Sequence, residues 1–343
     1  MSLRIAVLPG DGIGPDVIAE GVKALRATRV PCTLEEFSVG AGEFLKSGDP
    51  LPPATLDRVR AFDAILLGAM GLPNVRWPSG LEMTPQIDLR ERLDLYGGLR
   101  PIRLYHPEHS PLKGYKAGEI DFLILREQTE GLFAGRGGKF APDAAEVNDR
   151  MTVSRKGSER LFRMAFREAR RRRKHVTLVD KANVLPTMAY FRKIFDEVAR
   201  EFPDVKTEKA YVDAAALYLV QRPKAFDVIV TENMFGDILS DLAAGLVGGM
   251  GMAPSADVGD DFGVFQPAHG SAPDIAGKGI ANPIATILSV ALMLDWLEAV
   301  EAGDRIRRAV ERVLADPRNR TPDLGGTLTT PQLGALVAEA IAS

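Results

Sequence analysis

Three observations predict an α/β fold with largely parallel sheets. Short apolar runs of strand length recur at 5–8, 64–67, 122–125, 176–179 and 228–230. Helical patterns with apolar spacings of three and four lie between them, at 15–27 and 158–174, and the second ends in cations that suit a helix C-terminus. No internal repeat or low-complexity linker interrupts this alternation of strand and helix, which is the pattern of βαβ units. The stretch 131–149 departs from it: glycine, charged and turn residues replace the periodicity, and it reads as an excursion from the compact body.

The 343 residues are 45% hydrophobic and 26% charged, the composition of a globular enzyme with room for one large domain or two medium ones. A net charge of −3 gives no positive field to hold nucleic acid or an anionic membrane. Cys32 is the one cysteine, which rules out an internal disulfide and any multi-cysteine metal site and suits a reducing cytoplasm. The N-terminal apolar run meets Pro9-Gly10 too early for a signal-peptide core, and no run approaches the roughly 18 apolar residues of a membrane span. A cytoplasmic location is expected.

Pro9-Gly10-Asp11-Gly12-Ile13-Gly14-Pro15 follows the first strand and opens a helix at a proline whose missing N–H costs nothing there. The dinucleotide fingerprint needs a third glycine where Pro15 stands, so the segment reads as a tight strand-to-helix turn and the fold as other than a Rossmann fold. Asp237 and Asp241 lie four apart in a helical stretch and share a face; such a pair suits Mg²⁺ or Mn²⁺, and alone reads equally well as two solvated acids. Residues 266–283 are rich in glycine and turn formers, so backbone amides there can approach a flat or anionic ligand. His106-Pro107-Glu108-His109 has no third ligand nearby and reads as a solvated loop, and the cations at 170–174 as a solvated helix end.

Taken together, the motifs from Pro9 to Gly326 resemble those of the β-decarboxylating dehydrogenases of isopropylmalate, isocitrate, homoisocitrate and tartrate or D-malate. The resemblance covers nearly the whole chain and is most specific at 237–241 and 269–283. It implies an isopropylmalate/isocitrate dehydrogenase-like α/β fold, two domains flanking a central cleft. Residues 1–95 would return with 248–343 as the cofactor domain, and 96–247 would form the second domain with the dimer interface and an arm or clasp near 131–149.

The resemblance also implies roles. Arg90, Arg100 and Arg126 match the arginines that clamp a malate core, a task for bidentate guanidinium groups; Arg92 and Arg103 fall off these positions and read as solvated. Lys181 and Asp213 match the catalytic pair, contributed across a homodimer, and Asn183 would orient nicotinamide or substrate. Asp213, Asp237 and Asp241 would hold the metal. Gln266, His269, Gly270, Ser271, Ala272, Asp274, Ile275 and Asn282 match the cofactor-binding segment, and the acid at Asp274 implies NAD rather than NADP. Thr84, Gln86 and Ile87, ahead of Arg90, would read the substrate's distinguishing group. Their mixed character ranks a 3-isopropylmalate-type substrate first, tartrate or D-malate next, and isocitrate or homoisocitrate third.

Two positions depart from the family pattern. Phe133 stands where the family's tyrosine returns a proton to C3 after decarboxylation, and Gln266 where a glutamate is usual. Both favour the alternative that the chain is a silent regulatory subunit; the retained arginines, lysine and aspartates favour an enzyme.

Overall fold

The structure, a computed structural model, describes residues 2–135 and 143–343. Its centre is a ten-stranded mixed sheet in the order β2-β1-β3-β10-β9-β4-β5-β8-β6-β7. The strands are β1 (Leu3–Gly10), β2 (Cys32–Glu36), β3 (Ala64–Ala69), β4 (Gly97–Arg103), β5 (Asp121–Glu127), β6 (His175–Asp180), β7 (Lys206–Tyr211), β8 (Val228–Thr231), β9 (Pro254–Val258) and β10 (Gly263–Pro267). Every predicted run lies inside one of them. The sheet is largely parallel, as the alternation requires; β9 is the exception, antiparallel to both β10 and β4, and β4 is antiparallel to β5. Strands from both ends of the chain fill one half of the sheet, and those from its middle fill the other.

Helices cover both faces. In chain order they are α1 (Gly14–Ala27), α2 (Ala41–Ser47), α3 (Pro53–Val59), α4 (Pro85–Arg92), α5 (Arg155–Arg170), α6 (Pro186–Ala199), α7 (Val212–Gln221), α8 (Asn233–Gly245), α9 (Ile284–Trp296), α10 (Val300–Leu314) and α11 (Thr330–Ala342). Side chains alternate across a strand, so each buried run feeds two cores. Ile5 and Val7 join α1, α9, α10 and α11 on one face, while Ala6 and Leu8 meet Phe37, Leu56 and Leu89 on the other. In the second half Leu123 and Leu125 face α5 and α6, and Phe122 and Ile124 face α7 and α8. Complete burial of such a side chain contributes about 1.5–3 kcal/mol, which explains why these runs are apolar without interruption.

Asp11 ties the first motif to its surroundings: its buried carboxylate accepts from the backbone N–H groups of Ala41, Gly42 and Gly71. The 131–149 excursion lies partly outside the described residues. Of the rest, Phe133–Gly135 is a short helical turn, Gly131 bridges to Thr152, and 143–150 is exposed.

Three expectations are corrected by the packing. The cations at 170–174 do more than cap a helix, because Arg172 pairs with Asp121 and Asp227 and Arg170 with Asp204. Arg103 is not simply solvated; it pairs with Asp121 and Glu311. His109 is buried at 6% exposure rather than solvated, and neither ring nitrogen has a partner among the described residues. Burial first, then the Arg320 and His106 charges, lower its pKa from 6.5 to about 4, with Glu108 opposing them. As pH falls through 6.5 the unfolded ring takes a proton that the folded ring refuses until about 4, so stability is lost across that window. The loss should reach about 3 kcal/mol by pH 4. Denaturant unfolding of wild type and His109→Leu between pH 7 and 4 checks this: the variant's curve should be flatter, and an unchanged slope contradicts the assignment.

Candidate functional site

A cleft of about 260 Å³ opens where the two halves of the sheet meet. Arg90 comes from α4, Arg100 from β4 and Arg126 from β5, and all three line it although each is at least 93% buried. Burial and the neighbouring Arg90 charge pull Arg126 down to about 10, which leaves it cationic at neutral pH. Its Nε and Nη2 donate to Asn233 Oδ1 at 3.0 and 2.8 Å, and Nη1 pairs with Asp237. Three guanidinium groups in so small a space repel unless an anion joins them, and a dicarboxylate does so with bidentate geometry.

Asp237 and Asp241 enter the cleft from one face of α8. This helix starts at Glu232, whose side chain accepts from the Met234 and Phe235 N–H groups and so fixes the first turn. Burial raises the Asp241 pKa, and the charge on Asp237 raises it further. A divalent cation would relieve that repulsion, and hard carboxylate oxygens fit Mg²⁺ or Mn²⁺. Among the described residues of one chain, however, no three carboxylate, histidine or cysteine groups lie close enough together to hold a metal. Asp213 is elsewhere, at the start of α7, where it accepts from Lys181 Nζ at 2.8 Å. Neither member of this pair lines the cleft, and Asn183, on the same turn as Lys181, is exposed.

The opposite wall is Gln266 and Pro267 at the end of β10, with Ala268, His269 and Gly270 after it. Ser271 O accepts from Ile13 N at 2.8 Å, and a Cβ on Gly12, at φ +59°, would overlap that oxygen. The two glycine-bearing motifs read from the sequence therefore touch, and glycine is required at the contact. Asn282 Oδ1 caps α9 at Ile284 N, while its Nδ2 donates to Asp323. Asp274 is exposed on the loop, with Ala272 and Ile275 partly buried beside it. His269 Nε2 is buried and has no partner among the described residues; burial lowers the ring's pKa and favours the neutral form.

Gln86 and Ile87 of α4 line the cleft, whereas Thr84 sits at the helix start outside its lining. Phe133 lines it too, with the Arg126 guanidinium carbon 5.3 Å from the ring centroid. One residue beneath the cleft's arginines had no signal in the sequence: Asp257 of β9, which bonds Arg90, Arg100, Gln128 and Gln266. A second cavity of about 330 Å³ lies behind the β4–β9 seam, reached by Pro101 and Pro254 where Arg100 and Ser255 face the cleft. Its Arg103, Arg172 and Arg307 are ion-paired within the chain.

Residues 4–337 match the family model described as isocitrate/isopropylmalate dehydrogenase. The 3-isopropylmalate/3-methylmalate dehydrogenase of Methanocaldococcus jannaschii is 43% identical over 98% of each chain. The isocitrate/homoisocitrate dehydrogenase of Thermus thermophilus is 45% identical over the whole of both. The crystal structure of isocitrate dehydrogenase from Methylococcus capsulatus superposes with a TM-score of 0.92 at 40% identity, covering all of both chains. By its match to this family model over nearly its whole length and its identity to these relatives, the chain belongs to the isocitrate/isopropylmalate dehydrogenase family of decarboxylating hydroxy-acid dehydrogenases.

Proposed function

We propose that the protein is a homodimeric, NAD- and divalent-metal-dependent dehydrogenase that oxidises the 2-hydroxyl of a malate-core diacid, 3-isopropylmalate being the leading substrate. The observation that carries this reading is the convergence of Arg90, Arg100 and Arg126 with Asp237 and Asp241 on one cleft walled by the 266–270 segment. The arginines bind and orient the two carboxylates. Asp237 and Asp241, completed by Asp213 of a second copy, are the residues that would hold Mg²⁺ or Mn²⁺, which when bound supplies the charge that acidifies the substrate hydroxyl. Lys181 of that second copy, paired with Asp213, accepts the hydroxyl proton. His269, Gly270, Ser271, Ala272, Asp274, Ile275 and Asn282 form the cofactor side, with the Asp274 carboxylate disfavouring a 2′-phosphate. Residues 1–95 with 248–343, and 96–247, are the two domains between which the site lies.

The homodimer is supported by a bare apolar surface. Leu217 and Val220 on α7 and Ile238 on α8 are 52%, 43% and 59% exposed, and Asp213 stands on the same α7. Such a patch is the kind that a second chain covers.

Ile87 and the partly buried Met70 give the cleft an apolar corner, which supports the isopropyl reading and fits the many relatives named 3-isopropylmalate dehydrogenase. One atom favours a second reading. Gln86 Oε1 is buried without a partner among the described residues, an acceptor suited to the additional hydroxyl of tartrate. The test is reduced-cofactor formation by the pure protein with NAD or NADP, Mg²⁺ or Mn²⁺, and 3-isopropylmalate, tartrate, D-malate, isocitrate and homoisocitrate in turn. Turnover should be highest with 3-isopropylmalate and NAD and vanish with EDTA. Undiminished turnover in EDTA, or none with any substrate, refutes the proposal.

A further inference from the structure

Asp257 is 1% exposed, and each of its oxygens accepts from two donors. Oδ2 takes Arg90 Nε at 2.8 Å and Gln266 Nε2 at 2.7 Å. Oδ1 takes Gln128 Nε2 at 2.7 Å and Arg100 Nη2 at 3.2 Å. A buried carboxylate is costly unless so fully paired, and here one negative charge lies beneath two arginines that would otherwise repel. Gln128 reaches it only across Gly98, where any Cβ would overlap the Gln128 amide. Arg100 Nη1 is turned to the Ser255 hydroxyl. Arg90 spends only Nε on Asp257, and its terminal nitrogens have no hydrogen-bond partner among the described residues, which leaves them for a ligand.

Gln266 is the other half of this arrangement. Its amide N–H points at Asp257, so an acid at 266 would set two carboxylates 2.7 Å apart in a buried place, where both cannot ionise. We infer that Asp257 and Gln266 are a matched pair of positioning residues, one acid and one amide, that hold Arg90 and Arg100 in place for the substrate's carboxylates. The inference rests on the dicarboxylate reading of the cleft. It makes the amide at 266 a requirement of Asp257 and not a sign of a decayed site.

The test is a double-mutant cycle of wild type, Gln266→Glu, Asp257→Asn and the double variant, read by Michaelis constant, turnover and melting temperature. In wild type, Gln266→Glu should raise the Michaelis constant about tenfold or more, with a smaller change in turnover, because carboxylate binding is what the pair organises. In the Asp257→Asn protein the same change restores a single buried acid, so it should lower the Michaelis constant. Melting temperature should show the same reversal of sign. Equal effects of Gln266→Glu in both backgrounds would overturn the pairing, and a melting shift without a Michaelis-constant shift would overturn the positioning role. If wild type oxidises none of the substrates, the functional proposal fails separately. The cycle is then read by the rise in melting temperature that malonate gives each of the four proteins, where a reversal of sign upholds the pair and its absence overturns it.

Discussion

Lys181→Met is expected to lower turnover by about 10²–10⁴, the usual cost of a lost general base. Asp241→Asn, which removes a carboxylate from the cleft, should be similarly impaired. Co-expressed in equal amounts, the two variants should nevertheless regain about a quarter of wild-type activity, since half the dimers are hybrids with one intact site. The reasoning starts from where the residues lie. Asp241 lines its own chain's cleft, but Lys181 does not; it follows β6 and bonds Asp213 at the head of α7. That hydrogen bond holds the Asp213 carboxyl below its ordinary pKa, and it keeps the two side chains together for delivery as a pair. The bare Leu217 and Val220 on α7 give the surface that would carry both into a second copy's cleft. Activity in the mixture no greater than the sum of the two variants would show that Lys181 does not serve a partner's site.

Five strands were legible because burial on both faces leaves a short apolar run, as at Ala64–Ala69 and Val228–Thr231. β2, β4, β7, β9 and β10 were not legible; in β9, Pro254-Ser255-Ala256-Asp257-Val258 is short, half polar and carries a buried acid, so it has no strand signature. The same fact hid Asp257 from the site. A single acid on a polar pentapeptide reads as surface until Arg90, 167 positions away in sequence, is seen to close on it. Arg90, Arg100, Arg126, Asp237 and Asp241 were legible through motif resemblance, and the fold brings them to one cleft. His109 was misread because a four-residue polar turn looks solvated, and only the packing around Gly248 and Arg320 shows otherwise.

Phe133→Tyr is expected to speed formation of the keto product by up to about 10²–10⁴, with a smaller effect on hydride transfer and on loss of CO₂, because protonation at C3 needs a group that the earlier steps do not. Oxidation at C2 requires the hydroxyl's proton to leave and a hydride acceptor to be in place, and Phe133 touches neither need. Formation of the keto product after CO₂ has left requires a proton at C3, and a benzyl side chain has none to give. The ring lies in the cleft wall beside Arg126, 5.3 Å from the guanidinium carbon to the ring centroid. A tyrosine keeps that cation–ring contact, so the arginine clamp should survive and the change should act on proton delivery alone. Phe133 is only partly buried, so the new hydroxyl can meet water in the cleft and its cost in stability should be small. Stopped-flow NADH formation set against keto product in rapidly quenched samples separates the steps in both proteins. In wild type NADH should lead keto product, and in Phe133→Tyr the lag should shrink. If the two rates are equal in wild type and the variant gains nothing, water or another acid already protonates C3, and the departure at 133 has no catalytic consequence.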